Sequence, residues 1–498
     1  MRPPAGVIRG GEVTSDVSVV CDTVVVGSGA GGATVAAELA EAGRDVVLVE
    51  EGGYHSTGEF GASSVGALRT LYRDGGGGMT LGRPSVLYAE GRCVGGSTVV
   101  NGGMAWRTPS RVLSEWAARD GIRGIAEADM APCFDEIETR LNVGQQDPET
   151  IGTDGLLLRK GADALGWRIV GNRRNQIHCA GSNNCPNGCP TGAKQSMLVT
   201  SIPRALRAGT RLYTDCRVTR IVRSADGRAR GIVGRLPHAR LLVRAATVVV
   251  AAGAIQTPVL LLRSGVRHPM LGRNLSLHPN ANVIAYFDED VTGWHGVHQA
   301  FQVREFIDDG IILTANNLAP PMLAGMMPAH GAELGDLMAG YNHVVTAGPL
   351  VEDTGAGRVR VVPGLGPQVS YRLAARTGRR LLRGLELTAE AMFAAGARRI
   401  LLPVEGAPPV TSTAAARTFL RGPVPSRALR LYSIHLMGTV RMSEDPRRGV
   451  TDSFGQVRGV PGLVVCDASL FPGPTGLNPM ETVIALALRN ARHLITRR

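Results

Sequence analysis

Residues 23–49 combine two short apolar runs with a glycine-rich turn and a helical pattern. Residues 23–26 form a β-branched run that is typical of a buried parallel strand. Glycine-rich residues 27–32 follow at once, and the alanine-rich stretch 33–42 predicts a helix that ends at a glycine. Residues 46–49 predict a second buried strand. The order strand, turn, helix and strand is that of one βαβ unit.

The turn of this unit has the spacing of a dinucleotide-binding site. Gly27 permits a tight turn, Gly29 lets a pyrophosphate approach the backbone, and Gly32 lets the helix pack closely on the strand. The N-terminus of the helix then offers free N–H groups to the phosphates. Glu50 ends the second strand, where a carboxylate can accept hydrogen bonds from ribose hydroxyls. An acid there disfavours NADP, but it does not separate NAD from FAD.

Later segments fit the same fold class. Residues 247–254 are an apolar strand that runs into a Gly/Ala turn, and residues 255–262 predict the start of a helix. Residues 215–222 and 240–244 alternate, as a small antiparallel insert would. The glycines at 75–78 and the prolines at 320–321 indicate loops or a lid, with flexible linkers as the alternative.

Composition narrows the function classes. Lys and Arg number 54 against 42 Asp and Glu, a formal net charge of +12, and aromatic residues make up only 4%. The arginines are spread singly along the chain, which is unlike the clustered, aromatic-interleaved pattern of nucleic-acid binders, so we expect no nucleic-acid partner. The sequence has no apolar stretch long enough for a transmembrane segment, and we expect no secretory signal. Most of its eight cysteines look like free core thiols. A cytoplasmic location is expected.

Four blocks of the chain together resemble the glucose–methanol–choline (GMC) oxidoreductases. They are the glycine turn with Glu50, residues 91–104, residues 251–258, and the C-terminal stretches 435–439, 467–472 and 476–479. The second and fourth blocks are most similar to bacterial cholesterol oxidases and long-chain alcohol oxidases of this family. The resemblance implies an α/β fold in which a Rossmann-like FAD-binding domain is interleaved with a sheet-and-helix substrate domain.

The resemblance also implies FAD as the cofactor and a discontinuous FAD-binding domain. Family members with covalent flavin have a His in the second block, and this chain has none there, so noncovalent FAD is expected. The expected domains are FAD binding over 17–53, 88–109, 205–277 and 455–498, and substrate binding over 54–87, 110–204 and 278–454, with a Cys-rich loop at 178–194.

Carried over by motif, the cofactor contacts come from all four blocks. Asn101 and Gly102 would lie along the isoalloxazine ring, Asp467 and Ala468 at the ribityl and pyrophosphate region, and Asn478 to Thr482 at the flavin. The full expected set is Gly27, Gly29, Ala30, Gly31, Gly32, Glu50, Gly91, Gly96, Ser97, Asn101, Gly102, Val218, Ala252, Gly253, Asp467, Ala468, Asn478, Pro479 and Thr482.

Two residues align with the catalytic positions of the family. Oxidising an alcohol requires a hydride acceptor, which is the flavin N5, and a group that removes the hydroxyl proton. His435 aligns with the catalytic His and is expected to be that base, because an imidazole titrates near neutral pH. Asn478 would hold the substrate oxygen, and it can also cap the helix that follows Pro479. His278, between Leu277 and Pro279, is expected to be a turn residue.

Three bunched cysteines, Cys179, Cys185 and Cys189, lie in a Gly- and Asn-rich stretch. The run is similar to one in family members that carry an iron–sulfur cluster, but those have a further Cys where this chain has Ala180. Long-chain alcohol oxidases have a related segment with no established need for iron. The alternatives are a structural loop with free thiols or a disulfide, an iron–sulfur cluster, and zinc with His178 as a fourth ligand.

The functional expectation is an FAD-dependent oxidoreductase that acts on a CH–OH group. The small-molecule substrate could be a sterol, a long-chain alcohol, a sugar or a specialised metabolite, with oxygen or an electron carrier as acceptor. Two alternatives stay open. One is a non-redox lyase or decarboxylase on the same fold, and the other is a flavoprotein electron-transfer subunit with an iron–sulfur cluster.

Overall fold

The structure, a computed structural model, describes residues 3–316, 318–355 and 357–496. The strands are β1 (Val7–Ile8), β2 (Val17–Val26), β3 (Val46–Val49), β4 (Gly78–Met79), β5 (Val86–Tyr88), β6 (Val143–Gln145), β7 (Ile169–Gly171), β8 (Arg173–Asn175), β9 (Arg211–Tyr213), β10 (Arg217–Arg223), β11 (Ala229–Arg235), β12 (Arg240–Val250), β13 (Arg273–Leu277), β14 (Val283–Tyr286), β15 (Phe301–Val303), β16 (Ile311–Ala315), β17 (Val344–Val351), β18 (Gly357–Val362), β19 (Gly366–Ser370), β20 (Arg399–Leu401), β21 (Leu431–Ser433), β22 (Leu436–Met437) and β23 (Leu463–Val465).

The α-helices lie between and after these strands. They are α1 (Ala30–Glu41), α2 (Ser64–Leu71), α3 (Ser97–Val100), α4 (Ser110–Asp120), α5 (Glu127–Arg140), α6 (Thr153–Ala164), α7 (Ser201–Arg207), α8 (Gly253–Arg263), α9 (Pro320–Met326), α10 (Gly331–Ala339), α11 (Ala375–Ala395), α12 (Thr413–Arg421) and α13 (Met480–Thr496). In the described part of the chain, no helix is both long enough and apolar enough to cross a membrane.

A parallel sheet carries the predicted βαβ unit. Its order is β1-β9-β3-β2-β12, and β23 pairs with the end of β12. The central strands are in register, with Val24 opposite both Val47 and Val248. All three are fully buried, as the apolar runs predicted. Helices α1 and α13 pack against each other on this sheet, so the first and last motifs of the chain meet.

The antiparallel insert is a three-stranded extension of the same sheet. β11 pairs with both β10 and the first half of β12. On its other side β12 pairs in parallel with β2 along nearly its whole length, and its last three residues also pair in parallel with β23. The two alternating segments predicted from the sequence are therefore not direct neighbours. The intervening strand β11 separates them, and the sequence analysis did not identify it.

A second, antiparallel sheet forms the other half of the molecule. Its order is β20-β14-β17-β16-β15-β7, and helix α11 packs across it together with α6 and α12. A smaller sheet, β19-β18-β13-β22, contains the strands that lead to His278 and from His435. The mixed α/β class predicted from the sequence is confirmed.

Candidate active site

The glycine turn after β2 is shaped for close approach. Gly27 has φ +96°, and its N–H donates to the Val49 carbonyl at 2.8 Å, which holds the turn against β3. A Cβ at Gly32 would collide with the Gly27 carbonyl, and one at Gly31 would collide with the Cys466 carbonyl. The turn therefore brings helix α1 into backbone contact with the chain directly after β2 and with the chain directly after β23.

Glu50 is buried at the end of β3 and held by three donors. One carboxylate oxygen accepts from the Ser28 N–H at 2.9 Å and from the Ser28 hydroxyl at 2.7 Å. The other oxygen accepts from the Gly52 N–H at 2.8 Å. Burial raises the pKa of this carboxyl, while these hydrogen bonds act in the opposite direction. The oxygen that accepts from Gly52 keeps a second lone pair, so Glu50 can still accept from a hydroxyl in the cavity it lines.

Asp467 joins the C-terminal segment to the turn after β12. Its carboxylate accepts from the Gly253 N–H at 2.8 Å, from the Thr257 hydroxyl at 2.5 Å and from the Ser469 N–H at 2.8 Å. Burial raises the pKa of this group too. The third and fourth sequence blocks are thus fixed to each other beside the glycine turn.

One cavity of about 300 Å³ runs between these segments. Most of the predicted cofactor residues line it, together with both predicted catalytic residues: Gly27, Gly29, Ala30, Gly31, Glu50, Gly91, Gly96, Ser97, Asn101, Gly102, Val218, Ala252, Gly253, His435, Asp467, Ala468, Asn478 and Pro479.

Two predicted cofactor residues lie outside the lining of this cavity. Gly32 acts through the turn, where its missing Cβ lets α1 approach the strand. The Thr482 side chain is fully buried, and its hydroxyl pairs with the Thr108 hydroxyl at 2.6 Å. Thr482 therefore joins helix α13 to the chain at Thr108.

The cavity fits FAD by its own construction. Two glycine turns face each other, since a Cβ at Gly96 would lie 2.8 Å from the Gly29 Cα. The glycines of these turns leave room for a pyrophosphate to pass close to the backbone, and the N-terminus of α1 supplies a positive dipole end beside it. Glu50 lies where the ribose of FAD would bind. The same cavity is also lined by Asn101, Gly102, His435 and Asn478.

The cavity wall also carries an ionic group that was not predicted from the sequence. Arg73 donates to both carboxylate oxygens of Glu51 at 3.1 and 2.9 Å, and its Nε lies 3.7 Å from Glu90. Gln256 donates to Glu90 at 3.2 Å. Arg73 and Glu90 lie outside the sequence blocks that indicated the cofactor site, so no local pattern marks this group.

His435 and Asn478 come together at one end of the cavity. The His435 Nε2 and the Asn478 Nδ2 are 3.5 Å apart, although 43 positions separate the two residues in sequence. His435 is buried and lies in the short connection between β21 and β22. Burial lowers its pKa to about 4, so the ring is neutral at physiological pH.

His278 is the catalytic-site neighbour that the sequence analysis interpreted as a turn residue. It is fully buried, and its Nδ1 lies 3.1 Å from the Nδ1 of His435, with the two rings nearly perpendicular at 88°. Burial, followed by the charge of His435, lowers its pKa well below the ordinary value. A single His before a proline gives no sign of a partner 157 positions away.

The Cys-rich loop packs against the segment that contains Asn101, on the wall of the FAD cavity. Lys194 is buried, and its ammonium donates to the carbonyls of Val99, Asn101 and Cys185 at 2.7, 2.8 and 2.7 Å. Burial lowers the pKa of Lys194 to about 8. The loop is thus fastened to the segment that contains Asn101.

The three cysteines of this loop line a small cavity of about 20 Å³. All three are free thiols. Burial raises the pKa of Cys179, whereas at Cys189 hydrogen bonds from Thr191 and from the Lys194 N–H outweigh burial and lower it. Within the described residues, no group of three or more His, Cys, Asp or Glu side chains is placed to hold a metal ion. Cys179, Cys185 and Cys189 therefore do not form such a group in the structure, and the metal site at these residues stays a prediction.

Comparison with known proteins decides the family. The model described as GMC oxidoreductase matches residues 68–280 and 356–487, and an FAD binding domain matches residues 22–77. The chain belongs to the GMC oxidoreductase family. It is an FAD-dependent oxidoreductase, as the sequence motifs predicted.

Relatives and solved structures agree with this assignment. The chain is 40% identical over 481 residues to an uncharacterised GMC-type oxidoreductase of Mycobacterium tuberculosis, covering 96% of this chain and 76% of the relative. It is 29% identical over 508 residues to a long-chain-alcohol oxidase of Arabidopsis thaliana, covering 94% and 66%. The fold is similar to that of pyridoxine 4-oxidase from Mesorbium loti, with a TM-score of 0.75 at 21% identity, covering 95% of this chain and 99% of that one.

Proposed function

We propose that this GMC oxidoreductase oxidises a primary or secondary hydroxyl group of a small molecule, with His435 and Asn478 holding the reacting oxygen. The observation that carries the proposal is the approach of the His435 Nε2 to the Asn478 Nδ2, 3.5 Å apart on the wall of the FAD cavity. Two nitrogens at this spacing can both reach one oxygen atom. The similarity to a long-chain-alcohol oxidase supports an alcohol as the substrate class.

The chain's own residues orient the alcohol and exclude water from it. FAD, when bound, supplies the acceptor for the hydride at N5. Asn101 and Gly102 would support the ring, and buried His435 and Asn478 hold the oxygen in a site with little solvent. Removal of the hydroxyl proton by His435 requires a bare Nε2, because a neutral imidazole accepts a proton only at the nitrogen without hydrogen.

The test is the visible spectrum of the FAD-loaded protein, recorded without oxygen across a panel of alcohols. The panel contains a sterol, long-chain primary alcohols, sugars and hydroxymethyl heterocycles. We expect the bands of oxidised flavin to bleach with at least one class, which identifies the substrate. Bound flavin that no alcohol bleaches would contradict the proposal and favour a lyase or a carrier.

A further inference from the structure

We propose that the substrate is a polyhydroxylated molecule, and that Asn282, Asn316 and Gln299 form a subsite for a hydroxyl group other than the reacting one. The inference rests on the proposed alcohol oxidation and deepens it, because it selects sugars and other polyols from the range of alcohols. A simple long-chain alcohol or a sterol with one hydroxyl has no group that could occupy such a subsite.

The two faces of the second, antiparallel sheet differ in polarity. Helix α11 covers one face, which carries apolar side chains such as Val283, Leu313 and Val345. Side chains alternate between the faces of a strand, so the sequence neighbours of these residues share the other face. That face carries buried polar side chains within the strands or directly beside them: Asn282, Gln302, Thr314, Asn316 and Thr346.

The polar face borders the alcohol end of the FAD cavity. Gln302 donates to Asn478 at 3.4 Å, and Asn478 lines the cavity. On the same face, Ile312 and Leu350 pack against Leu477, the residue before Asn478. A substrate whose reacting hydroxyl lies at Asn478 therefore has this face of the sheet beside it.

Three amides on this side form one directed chain of hydrogen bonds. Gln299 begins it beside the cavity, since a Cβ on cavity-lining Gly102 would lie 3.0 Å from the Gln299 Oε1. The Gln299 Nε2 donates to the Asn316 Oδ1, and the Asn316 Nδ2 donates to the Asn282 Oδ1 at 3.0 Å. The Tyr432 hydroxyl donates to the same Asn282 oxygen at 3.1 Å. Both lone pairs of that oxygen are then used, which fixes the orientation of the amide.

The chain ends in a donor for which the protein supplies no acceptor. Asn282 is only 5% exposed, and within residues 3–316, 318–355 and 357–496 its Nδ2 has no hydrogen-bond partner. A Cβ at Gly348 would lie 2.5 Å from the Asn282 Oδ1, so the glycine makes room for this amide. A buried N–H without an acceptor costs free energy, and an oxygen of a bound ligand removes that cost.

The neutral character of the network indicates that this oxygen belongs to a hydroxyl group. In the described part of the chain, neither Asn282 nor Asn316 hydrogen-bonds to a charged side chain. Burial raises the pKa of Tyr432, so its phenol keeps its hydrogen at physiological pH. A carboxylate or an ammonium group would lose its hydration there without gaining a counter-charge. A hydroxyl needs no counter-charge and can accept from the Asn282 Nδ2.

The first experiment compares matched alcohols on the FAD-loaded wild-type protein, without oxygen. The polyols are a methyl hexopyranoside, an inositol and a hexitol. Tetrahydropyran-2-methanol, cyclohexanol and 1-hexanol have the corresponding rings and chain with one hydroxyl each, and a long-chain alcohol and a sterol complete the apolar set. A site built to bind a hydroxyl strongly rejects analogues that lack it, so the best polyol should exceed every apolar alcohol by at least about 100-fold in kcat/KM. A higher kcat/KM for any apolar alcohol would overturn the proposal.

Binding is measured separately from turnover, as the change that each ligand causes in the visible spectrum of bound FAD. We expect at least one polyol to bind. If no polyol binds, the inference is wrong, whether or not an alcohol reduces the flavin. If a polyol binds and no alcohol reduces the flavin, the proposed alcohol oxidation fails and the subsite stands.

A triple variant tests whether these residues carry the selectivity. Asn282→Leu, Asn316→Leu and Tyr432→Phe together remove the network, while Gln299 keeps the Thr314 hydroxyl as an acceptor at 3.3 Å. The ratio of kcat/KM for the polyol to that for its apolar partner should fall by about 100-fold, mainly through KM of the polyol. Flavin content and Tm should not fall, because replacing both partners of buried hydrogen bonds by apolar groups of similar shape is close to neutral for stability.

A purely structural network would behave in the opposite way. The triple variant would then lose Tm and keep the wild-type affinity and preference for polyols, and that result would overturn the proposal. Gln368→Leu is the matched control, because Gln368 lies on β19 and donates only to the carbonyls of Leu365 and Pro367 among the described residues. It should keep the wild-type preference.

Discussion

The two ends of the FAD cavity are built in different ways. At the nucleotide end, the key contact joins Glu50 to Ser28 over 22 positions, and the remaining geometry is set by missing side chains in a glycine turn. At the alcohol end, His435 depends on His278, which is 157 positions away, and Asn478 depends on Gln302, which is 176 positions away. A short motif therefore specifies the first end, whereas several distant strands together specify the second.

This contrast predicts different failures for changes at each end. A change at the nucleotide end should alter how FAD binds and leave the chemistry of bound FAD alone. A change at the alcohol end should slow the reaction of FAD that stays bound. Measuring flavin content and the rate of flavin reduction separately distinguishes the two outcomes.

The largest effect is expected at His435. His435→Ala removes one of the two side chains that reach the substrate oxygen, and flavin reduction should slow by about 10²–10⁴-fold. The ratio of flavin to protein should stay at the wild-type value. A variant that reduces flavin at the wild-type rate would remove His435 from catalysis.

A comparable loss, but of cofactor, is expected at Gly32. In Gly32→Ala the new Cβ collides with the Gly27 carbonyl, so the turn must open. FAD affinity, measured by titration of the apoprotein, should fall by about 100-fold or more, equal to about 2.7 kcal/mol. Gly11→Ala is the control, because a Cβ at Gly11 meets no atom within 4 Å. Equal affinity for the two variants would contradict the model of the turn.

A smaller effect is expected at Glu50. In Glu50→Gln an amide NH₂ replaces one carboxylate oxygen and faces an N–H donor of Ser28 or Gly52. FAD affinity should fall by about 10-fold, which is about 1.4 kcal/mol. Flavin that does bind should be reduced at the wild-type rate, and Glu12→Gln, at an exposed position, should behave as wild type.

The smallest effect concerns pH: the rate of flavin reduction should show no transition near neutral pH. Burial lowers the pKa of His435 from its ordinary value of 6.5 to about 4. The group is neutral above about 4, so the rate of flavin reduction should be flat between about pH 5 and about pH 8. It should fall as the pH drops through about 4, where the ring gains a second hydrogen. A transition near the ordinary pKa of His that disappears in His435→Gln would contradict the burial of this ring.

Local pattern was enough to predict the βαβ unit with its glycine turn and Glu50. Glycines without a Cβ, an acid at a strand end and β-branched runs act through neighbours in sequence, so they can be identified before any fold is known. The resemblance to the family then supplied the other cofactor contacts together with His435 and Asn478. Strand β11 was missed because its alternation is interrupted by glycines at 231 and 234.

Tertiary structure alone decided the surroundings of the reactive pair. His278 is a lone His in sequence, and only the pairing of β13 with β22 brings it to His435. Gln302 lies on β15 in the antiparallel sheet, far along the chain from Asn478. Which nitrogen of His435 carries hydrogen depends on these contacts, because a tautomer is set by the hydrogen bonds around the ring and not by the residue type. The sequence by itself determined that an FAD-binding βαβ unit forms, and the fold decided how the side chains opposite it are oriented.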